Sequence, residues 1–503
     1  MLPSYSSTQP LSLREILPDA EFVGAADVRA KSVTCDSLTC RPGDVFVALA
    51  GTRSDGHEHV QEAAAHGAAA VVVDHPVTVD VPACLVLDSS EAFGHICQAL
   101  ANHPTQKLHT VGITGTNGKS TTAALVASVF EAAGSRTGTL GTLGYCDGYE
   151  TLPAELTTPP APELAHWLSR MVALGCSHAA VEVSSHALAQ RRIAGIEFAH
   201  VCVTNLRRDH LDYHTTLSNY HHAKIGLVNY LRPGGVAVIN ADDPQSIKQA
   251  PLLPGRVISV GMHAGADVSA VLLERVKSEQ TFLLTAGNVS VPVRTALIGD
   301  HHIYNCLMAT AIGLAEGIDL TTVVRGLESV TRVPGRLERI ECGQPFGVYV
   351  DYAHTPDALR VSLETLRQVT SGRIICVFGA GGNRDTAKRP LMGRAVEELA
   401  DVAVVTTDNP RFEDPQSIGA EIIAGFARPA LARWIADRTE AIHYALWLAG
   451  PDDCVLVAGR GHEPFQQMAH ERIALDDCDV VRRYLYNLAP SSPYGGLQSV
   501  SNS

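Results

Sequence analysis

Residues 115–121 read Gly115-Thr116-Asn117-Gly118-Lys119-Ser120-Thr121. A short apolar run, residues 108–114, precedes them, and a helix-forming run, residues 122–133, follows and is closed by Gly134. In a strand–loop–helix setting, glycines let backbone N–H groups approach phosphate oxygens, and the helix N-terminus adds its positive end. Lys119 is then placed for the β- and γ-phosphates of a nucleotide, and Ser120 for Mg2+. Gly112 stands six residues before Gly118, one more than the strict Walker spacing. A bare Gly-Lys-Ser could be an ordinary turn and helix cap; the flanking elements favour the nucleotide site.

Other residues could carry chemistry. Glu182 ends the apolar run 179–183. It is either a helix cap or a Mg2+ ligand, since Mg2+ takes oxygen donors and holds phosphates with one or two carboxylates. His210-x-x-x-His214 is a weak metal signal and could equally be a helix face. Lys224, in His221-His222-Ala223-Lys224, reads by spacing alone as a solvated lysine. Asp408-Asn409-Pro410-Arg411 follows the run 402–407; alone it could be a turn, because every residue but Arg favours turns.

The elements that must position these residues are legible as a pattern. Short apolar runs at 108–114, 179–183, 201–205, 236–240, 347–351, 374–379, 402–406 and 454–458 alternate with helix-length segments rich in Ala, Leu and Glu. That alternation predicts an α/β fold with mainly parallel sheets. Several runs end in the candidate residues, as expected where ligands bind at the carboxyl ends of strands. The 503 residues suggest roughly three domains. Breaks near 103–106 and at Pro334-Gly335 divide the chain into 1–105, 106–335 and 336–489, with a Ser/Pro/Gly-rich tail, 490–503, expected to be disordered.

Composition excludes several classes. A net charge of −14 argues against a nucleic-acid partner or an anionic membrane. No signal peptide and no apolar run of ~18 residues is visible, so no membrane insertion is expected. Twelve cysteines without a C-x-x-C pair fit a reducing cytoplasm rather than a zinc site or disulfide framework.

The loop Gly-Thr-Asn-Gly-Lys-Ser-Thr resembles that of the Mur ligases and their folylpolyglutamate synthetase relatives. So do Glu182–Leu188 (EVSSHAL), residues 205–214 (NLRRDHLDYH), 334–338 (PGRLE) and 351–357 (DYAHTPD), in family order. Asp36-Ser37, residues 42–48 (PGDVFVA) and 54–57 (SDGH) resemble the family's uridine-nucleotide-binding domain, which a folylpolyglutamate synthetase would leave unexplained. The resemblance covers nearly the whole chain. It implies a three-domain architecture with a central P-loop-type ATPase domain and a Rossmann-like C-terminal domain. The implied enzyme is an ATP-dependent, monomeric amide-bond ligase of peptidoglycan precursor synthesis. It would close its domains around an acyl phosphate.

The resemblance also implies residue roles. ATP would meet Gly115, Thr116, Asn117, Gly118, Lys119, Ser120, Thr121, Asn305, Arg336 and Asp351. Mg2+ would be held by Ser120, Glu182, His210 and Lys224, the last as an N6-carboxylysine formed with CO2. A carbamate offers the oxygens a hard cation takes, where an ammonium would repel it. Lys119, Glu182, His210, Lys224 and Arg336 would be the catalytic set. The acceptor UDP-MurNAc-L-Ala-D-Glu would lie against Ser37, Thr52, Arg53 and Ser54, its muramoyl dipeptide reaching Thr157, Thr158, Ser184, Gln190 and Arg192.

The D-N-P-R form matches members that add meso-diaminopimelate, whose distal carboxylate an arginine can grip through two parallel charge-assisted bonds. Arg384, Asp408, Asn409, Pro410, Arg411, Gly459 and Glu463 are the implied contacts, with Glu463 on the distal ammonium. A lysine-adding sister enzyme and a non-catalytic nucleotide sensor are the alternatives; intact Lys119, Glu182, His210 and Lys224 speak against the sensor. Leu38, Leu156, Arg207, His302 and Arg460 depart from the family's usual residues, as does Ile225-Gly226 after Lys224.

Overall fold

A computed structural model describes residues 5–51, 54–253, 255–263 and 265–488; Thr52, Arg53 and the tail 490–503 lie outside the described residues. The fold is α/β with sheets that are mainly parallel. Among the described residues, segments 5–206, 218–269 and 305–327 make one compact unit, and segments 207–217, 270–304 and 328–488 make a second.

The first unit opens with a six-stranded sheet. Its strands are β1 (Tyr5–Ser12), β2 (Glu21–Val23), β3 (Arg29–Thr34), β4 (Val45–Val47), β5 (Ala70–Val73) and β6 (Ala83–Leu85), in the order β1-β3-β4-β5-β6-β2. β3 to β6 run parallel, and β1 and β2 are antiparallel edges. β4 and β5 are buried throughout, which is why they read as unbroken Val/Ala/Phe runs rather than as alternation. Helix Ser89–Leu100 covers this sheet and starts where the Asp88 side chain accepts the Glu91 N–H.

The central sheet of this unit contains β7 (His109–Thr114), β8 (Thr137–Gly141), β9 (Gly144–Cys146), β10 (Thr151–Leu152), β11 (His178–Glu182), β12 (Phe198–Val203), β13 (Leu231–Asn240) and β14 (Arg256–Gly261). Their order is β10-β9-β8-β11-β7-β12-β13-β14. From β8 to β14 the neighbours are parallel, so Thr114, Glu182 and Val203 finish side by side at one edge. Helix Lys119–Ala132 lies across β8 and β11. The core beneath is built from Leu140, Leu164, Val181, Phe198, Val201 and Leu227 among others.

After β15 (Val268–Arg275), β16 (Gln280–Ala286) and β17 (Val289–Thr295), the second unit carries β18 (Glu338–Arg339), β19 (Gly347–Asp351), β20 (Ile374–Phe378), β21 (Val402–Thr406), β22 (Ala432–Ile435) and β23 (Cys454–Ala458), ordered β18-β19-β23-β20-β21-β22. All but β18 are parallel. Apolar cores fill both faces, one around Leu359, Leu363, Phe378 and Met392, the other around Val348, Ile375, Ile442 and Val481. A separate antiparallel hairpin, Phe465–Met468 with Glu471–Ala474, stands next to the carboxyl ends of these strands. Each helix-opening signal is used: Thr355, Asp414 and Asp437 accept N–H groups of their first turns.

This unit buries an ion pair. Arg438 donates from Nε and Nη2 to the two carboxylate oxygens of Asp477 at 2.9 and 2.7 Å, with both side chains fully buried. A second Nη2 bond reaches Ala458 O at 3.0 Å. Removing one partner of such a pair strands the other charge, at a cost of roughly 3–5 kcal/mol. Arg438→Met is therefore expected to lower stability by that order, because Arg460, at 3.8 Å from Asp477, makes no direct hydrogen bond to it. Urea unfolding of the variant, with near-normal cooperativity and a markedly lower midpoint, is the check.

Candidate functional site

The loop after β7 is held by its neighbours. Thr116 N donates to Asn205 O at 2.9 Å, and Asn117 exchanges bonds with the Asn205 side chain at 3.0 Å each way. Thr204 Oγ1 donates to Asn117 O at 2.6 Å. Gly115 has φ +141°, and a Cβ there would fall 1.9 Å from Thr204 Oγ1; Gly118 has φ +88°, and a Cβ would fall 2.5 Å from Asn305 Oδ1. Both positions therefore require glycine. Asn305 Oδ1 also accepts Thr122 Oγ1–H at 3.2 Å, so this helix residue braces the loop. Lys119 opens the helix and turns its Nζ onto Gly115 O and Thr116 O at 2.9 and 3.0 Å. The result is a curled backbone with a lysine across it, at the positive end of a helix.

Beside the loop lies an oxygen-rich corner. Glu182 is 2% exposed and accepts Ser120 Oγ–H at 3.0 Å, Thr142 N–H at 3.0 Å and Thr142 Oγ1–H at 3.2 Å. A hydroxyl and a carboxylate meeting here are the hard donors Mg2+ takes, so this corner fits the ion. Lys224 is not a solvated lysine. It is 2% exposed, donates to Gly115 O at 2.8 Å and lies 4.8 Å above the Tyr220 ring, whose hydroxyl donates to Thr116 Oγ1. Two lysines thus converge on the Gly115 carbonyl. As an ammonium Lys224 supplies no metal ligand; as a carbamate it would.

The residues expected around the muramoyl dipeptide surround the same corner. Thr157 Oγ1 is 3.0 Å from Thr142 Oγ1. Thr158 Oγ1 donates to Glu182 O and accepts Ser184 N–H. Arg192 donates to Gln190 Oε1 through Nε and Nη2, and to Thr158 O through Nη1 at 3.0 Å. Ser37 and Ser54 lie with the N-terminal sheet. The Ser37 hydroxyl donates to Glu62 at 2.6 Å, and Ser54 O accepts Gly51 N–H. Leu38 is exposed, as is Leu156.

His210, Arg336 and Asp351 belong to the second unit. His210 sits at φ +53°, its Nε2 3.4 Å from Asp209 Oδ2. Burial would raise the Asp209 carboxyl, but His210, His354 and Lys388 outweigh it and hold the group below the usual range. Arg336 stacks over Tyr352 at 4.5 Å. Asp351 ends β19 and accepts Leu337 N–H and Ser362 Oγ–H; burial pushes its carboxyl up all the same.

The same unit gathers Asp408–Arg411, Arg384, Gly459 and Glu463. Asn409 donates from Nδ2 to Glu463 Oε2 at 2.7 Å and accepts Gln467 N–H at 2.8 Å. Arg411 is held in the left-handed region, φ +53°, by bonds from its N–H to Gln467 O and from Ala469 N–H to its carbonyl. Its Nη1 donates to Gly382 O at 2.7 Å. Among the described residues no carboxylate lies within ion-pair distance of Arg411 or Arg384. Burial lowers the Arg411 guanidinium and Arg384 lowers it further. Glu463 is pushed up by burial and by Asp408, whose Oδ2 is buried without a partner. The pocket thus offers two like-charged arginines without an anion, facing carboxylates without a full complement of donors. A zwitterion carrying a further carboxylate complements it.

Sequence reasoning assigned no role to Thr142, Tyr220, Asn205, the hairpin residue Gln467, or the group Asp209–His354–Lys388. Asn205, Asp209 and His354 stand in the family-like segments 205–214 and 351–357; Thr142, Tyr220, Lys388 and Gln467 carry no local signal, since their partners are far away in sequence.

Residues 29–105 match the family described as "Mur ligase family, catalytic domain", residues 113–313 "Mur ligase middle domain", and residues 335–461 "Mur ligase, glutamate ligase domain". The UDP-N-acetylmuramoyl-L-alanyl-D-glutamate--2,6-diaminopimelate ligase of Geobacillus kaustophilus is 41% identical over 454 residues, 89% of this chain and 93% of that one. The enzyme of the same name from Bacillus licheniformis is 39% identical over 475 residues, 93% and 97% of the two chains. A solved structure titled as this ligase superposes with a TM-score of 0.68 at 31% identity, covering 96% of this chain and all of the other. With its three segments matched in order and its loop, acidic corner and arginine pocket built as described, the chain belongs to the Mur ligase family.

Proposed function

We propose that this chain is the ATP-dependent ligase that joins meso-diaminopimelate to the D-Glu carboxylate of UDP-MurNAc-L-Ala-D-Glu, in peptidoglycan precursor synthesis. The observation that carries the reading is Arg411, half-buried and without a carboxylate at ion-pair distance among the described residues, in a pocket that also holds Arg384 and Glu463. L-lysine lacks the carboxylate that would complete it, and a site built to pair a charged group rejects the analogue without one.

The chemistry follows from the groups present. The D-Glu carboxylate takes the γ-phosphoryl group of ATP and ADP leaves. The neutral amine of diaminopimelate then attacks the acyl carbon, and phosphate departs from the tetrahedral species. Lys119 leaves its loop carbonyls for the β- and γ-phosphates, and the loop N–H groups of residues 115–121 cradle them. Arg336, Asn305 and Asp351 are further nucleotide contacts. Mg2+, held by Ser120, Glu182, His210 and carbamylated Lys224, would neutralise phosphate charge. Lys224 becomes that ligand when its neutral amine adds CO2 and releases a proton. Arg192, with Thr157, Thr158, Ser184 and Gln190, holds the dipeptide. Ser37, Thr52, Arg53 and Ser54 hold the uridine end. Asp408, Asn409, Pro410 and Gly459 shape the pocket, and Glu463 takes the distal ammonium.

This assigns acceptor, ATP and amino acid to segments 1–105, 106–335 and 336–489 of a monomer. The proposed compartment is the cytoplasm, and the twelve cysteines are free. No helix among the described residues is long and apolar enough to cross a membrane.

The test is phosphate release from ATP with UDP-MurNAc-L-Ala-D-Glu and either meso-diaminopimelate, L-lysine or no amino acid. Release with diaminopimelate alone is expected. Release with lysine would overturn the substrate and keep the chemistry; slow release independent of acceptor and amino acid would point to a sensor.

A further inference from the structure

The opposite edge of the central sheet carries a second cluster that the ligase chemistry does not use. His109 opens β7 and His178 opens β11, and the two are directly paired in register. Glu316, just past helix Asp300–Ala315, reaches over that edge. Its carboxylate lies 3.0 Å from His109 Nδ1 and 2.9 Å from Nε2 of His200, which is buried on β12. Ligand atoms of His109, His178 and Glu316 all lie within 4.8 Å of one another. The phosphate loop leaves β7 from its other end, so this cluster is separate from the nucleotide site.

We propose that His109, His178 and Glu316 form a binding site for a divalent transition-metal ion of the zinc class. Two imidazoles and a carboxylate are donors that Zn2+ accepts, with the fourth position of a tetrahedron left to water. The ring nitrogens are already sorted. Ser177 Oγ is 2.8 Å from His178 Nδ1, which leaves Nε2 for the ion. His109 presents Nδ1 toward Glu316, and half of its side chain is exposed, giving an entry path from solvent. His200 acts as a positioning residue, because its bond to Oε1 orients the carboxylate and leaves Oε2 for the metal. Such outer partners typically change metal affinity 10–100-fold. The face of His178 is walled by Phe130 at 4.4 Å, which fixes the ring plane. Without metal, Glu316 ties the end of its helix to two strands through hydrogen bonds from His109 and His200; the ion would take His109 Nδ1, and the ring N–H would then sit on Nε2.

The experiment uses the full chain, stripped with chelator and titrated with Zn2+ against a competing indicator in weak buffer, beside the double variant His109→Ala/His178→Ala. Wild type is expected to bind one more equivalent than the variant. Zn2+ should raise the thermal midpoint of the wild type and not of the variant. Co2+ in the same place should give tetrahedral d–d bands without the thiolate charge-transfer band that cysteine ligation would produce. His200→Phe should weaken binding by ~10-fold or more while keeping the stoichiometry. Equal stoichiometry and affinity in wild type and variant, or thiolate bands for the differing equivalent, would overturn the site. Should the double variant fail to fold, His109→Ala alone, at a half-exposed side chain, keeps the comparison; unchanged Zn2+ affinity there has the same meaning.

Discussion

Arg411→Ala is expected to reduce kcat/KM for meso-diaminopimelate by about two to three orders of magnitude, leaving ATP and acceptor affinities near normal. Truncating one member of a desolvated charge pair costs roughly 2–5 kcal/mol, most of it from leaving the other charge unpaired. Here the charge left behind is the substrate's distal carboxylate, and Arg384 can compensate only in part because it is exposed. Arg411→Lys should not restore activity. A compact ammonium cannot make two parallel bonds to a carboxylate, and it would lose the Gly382 O contact that aims the guanidinium. Discrimination against L-lysine should shrink with the alanine variant, since the unpaired arginine is what a bound lysine strands. Steady-state phosphate release with each amino acid is the measurement, and diaminopimelate turnover within a few-fold of wild type would remove Arg411 from the pocket's role.

Lys224→Ala is expected to lower kcat by roughly 10²–10³, the range for losing one charge-stabilising group, and to recover part of it in acetate or formate. A buried lysine that served only to place an ammonium on Gly115 O would behave differently: its alanine variant would stay insensitive to small carboxylates, and wild type would be indifferent to dissolved CO2. The carbamate reading requires the reverse on both counts. The space left by the side chain, beside the Gly115 carbonyl and the Tyr220 ring, can admit a small carboxylate, supplying the oxygens that the carbamate would have supplied. Labelled bicarbonate and the carbamate carbon signal, present in wild type and absent in Lys224→Ala, give a readout that does not depend on turnover.

The parallel α/β character was legible because β-strands buried on both faces leave near-continuous apolar runs, as β20, β21 and β23 do. The strand–loop–helix form of residues 115–121 was legible because the constraint is local: glycines where a Cβ would clash, and a lysine and serine at the start of a helix. Arg411 was legible because the four-residue signature is contiguous. Lys224 was legible only through resemblance. Its own spacing reads as a surface lysine, since burial is a property of what packs around it, here the Gly115 carbonyl from a distant part of the chain together with Tyr220 one turn back on the same helix.

Local patterns in the chain settle which elements form and which side chains stand at their ends, since periodicity, caps and glycine positions act over a few residues. Tertiary structure alone decided that Thr142 clasps Glu182, that Asn205 holds the loop, that Gln467 bends Arg411 into the left-handed region, and that three histidines and Glu316 meet at the far edge of the sheet. Those contacts join residues tens to hundreds of positions apart. Their energy depends on strand order and register, which no local pattern encodes, because the same apolar runs could pair in many orders until packing selects one.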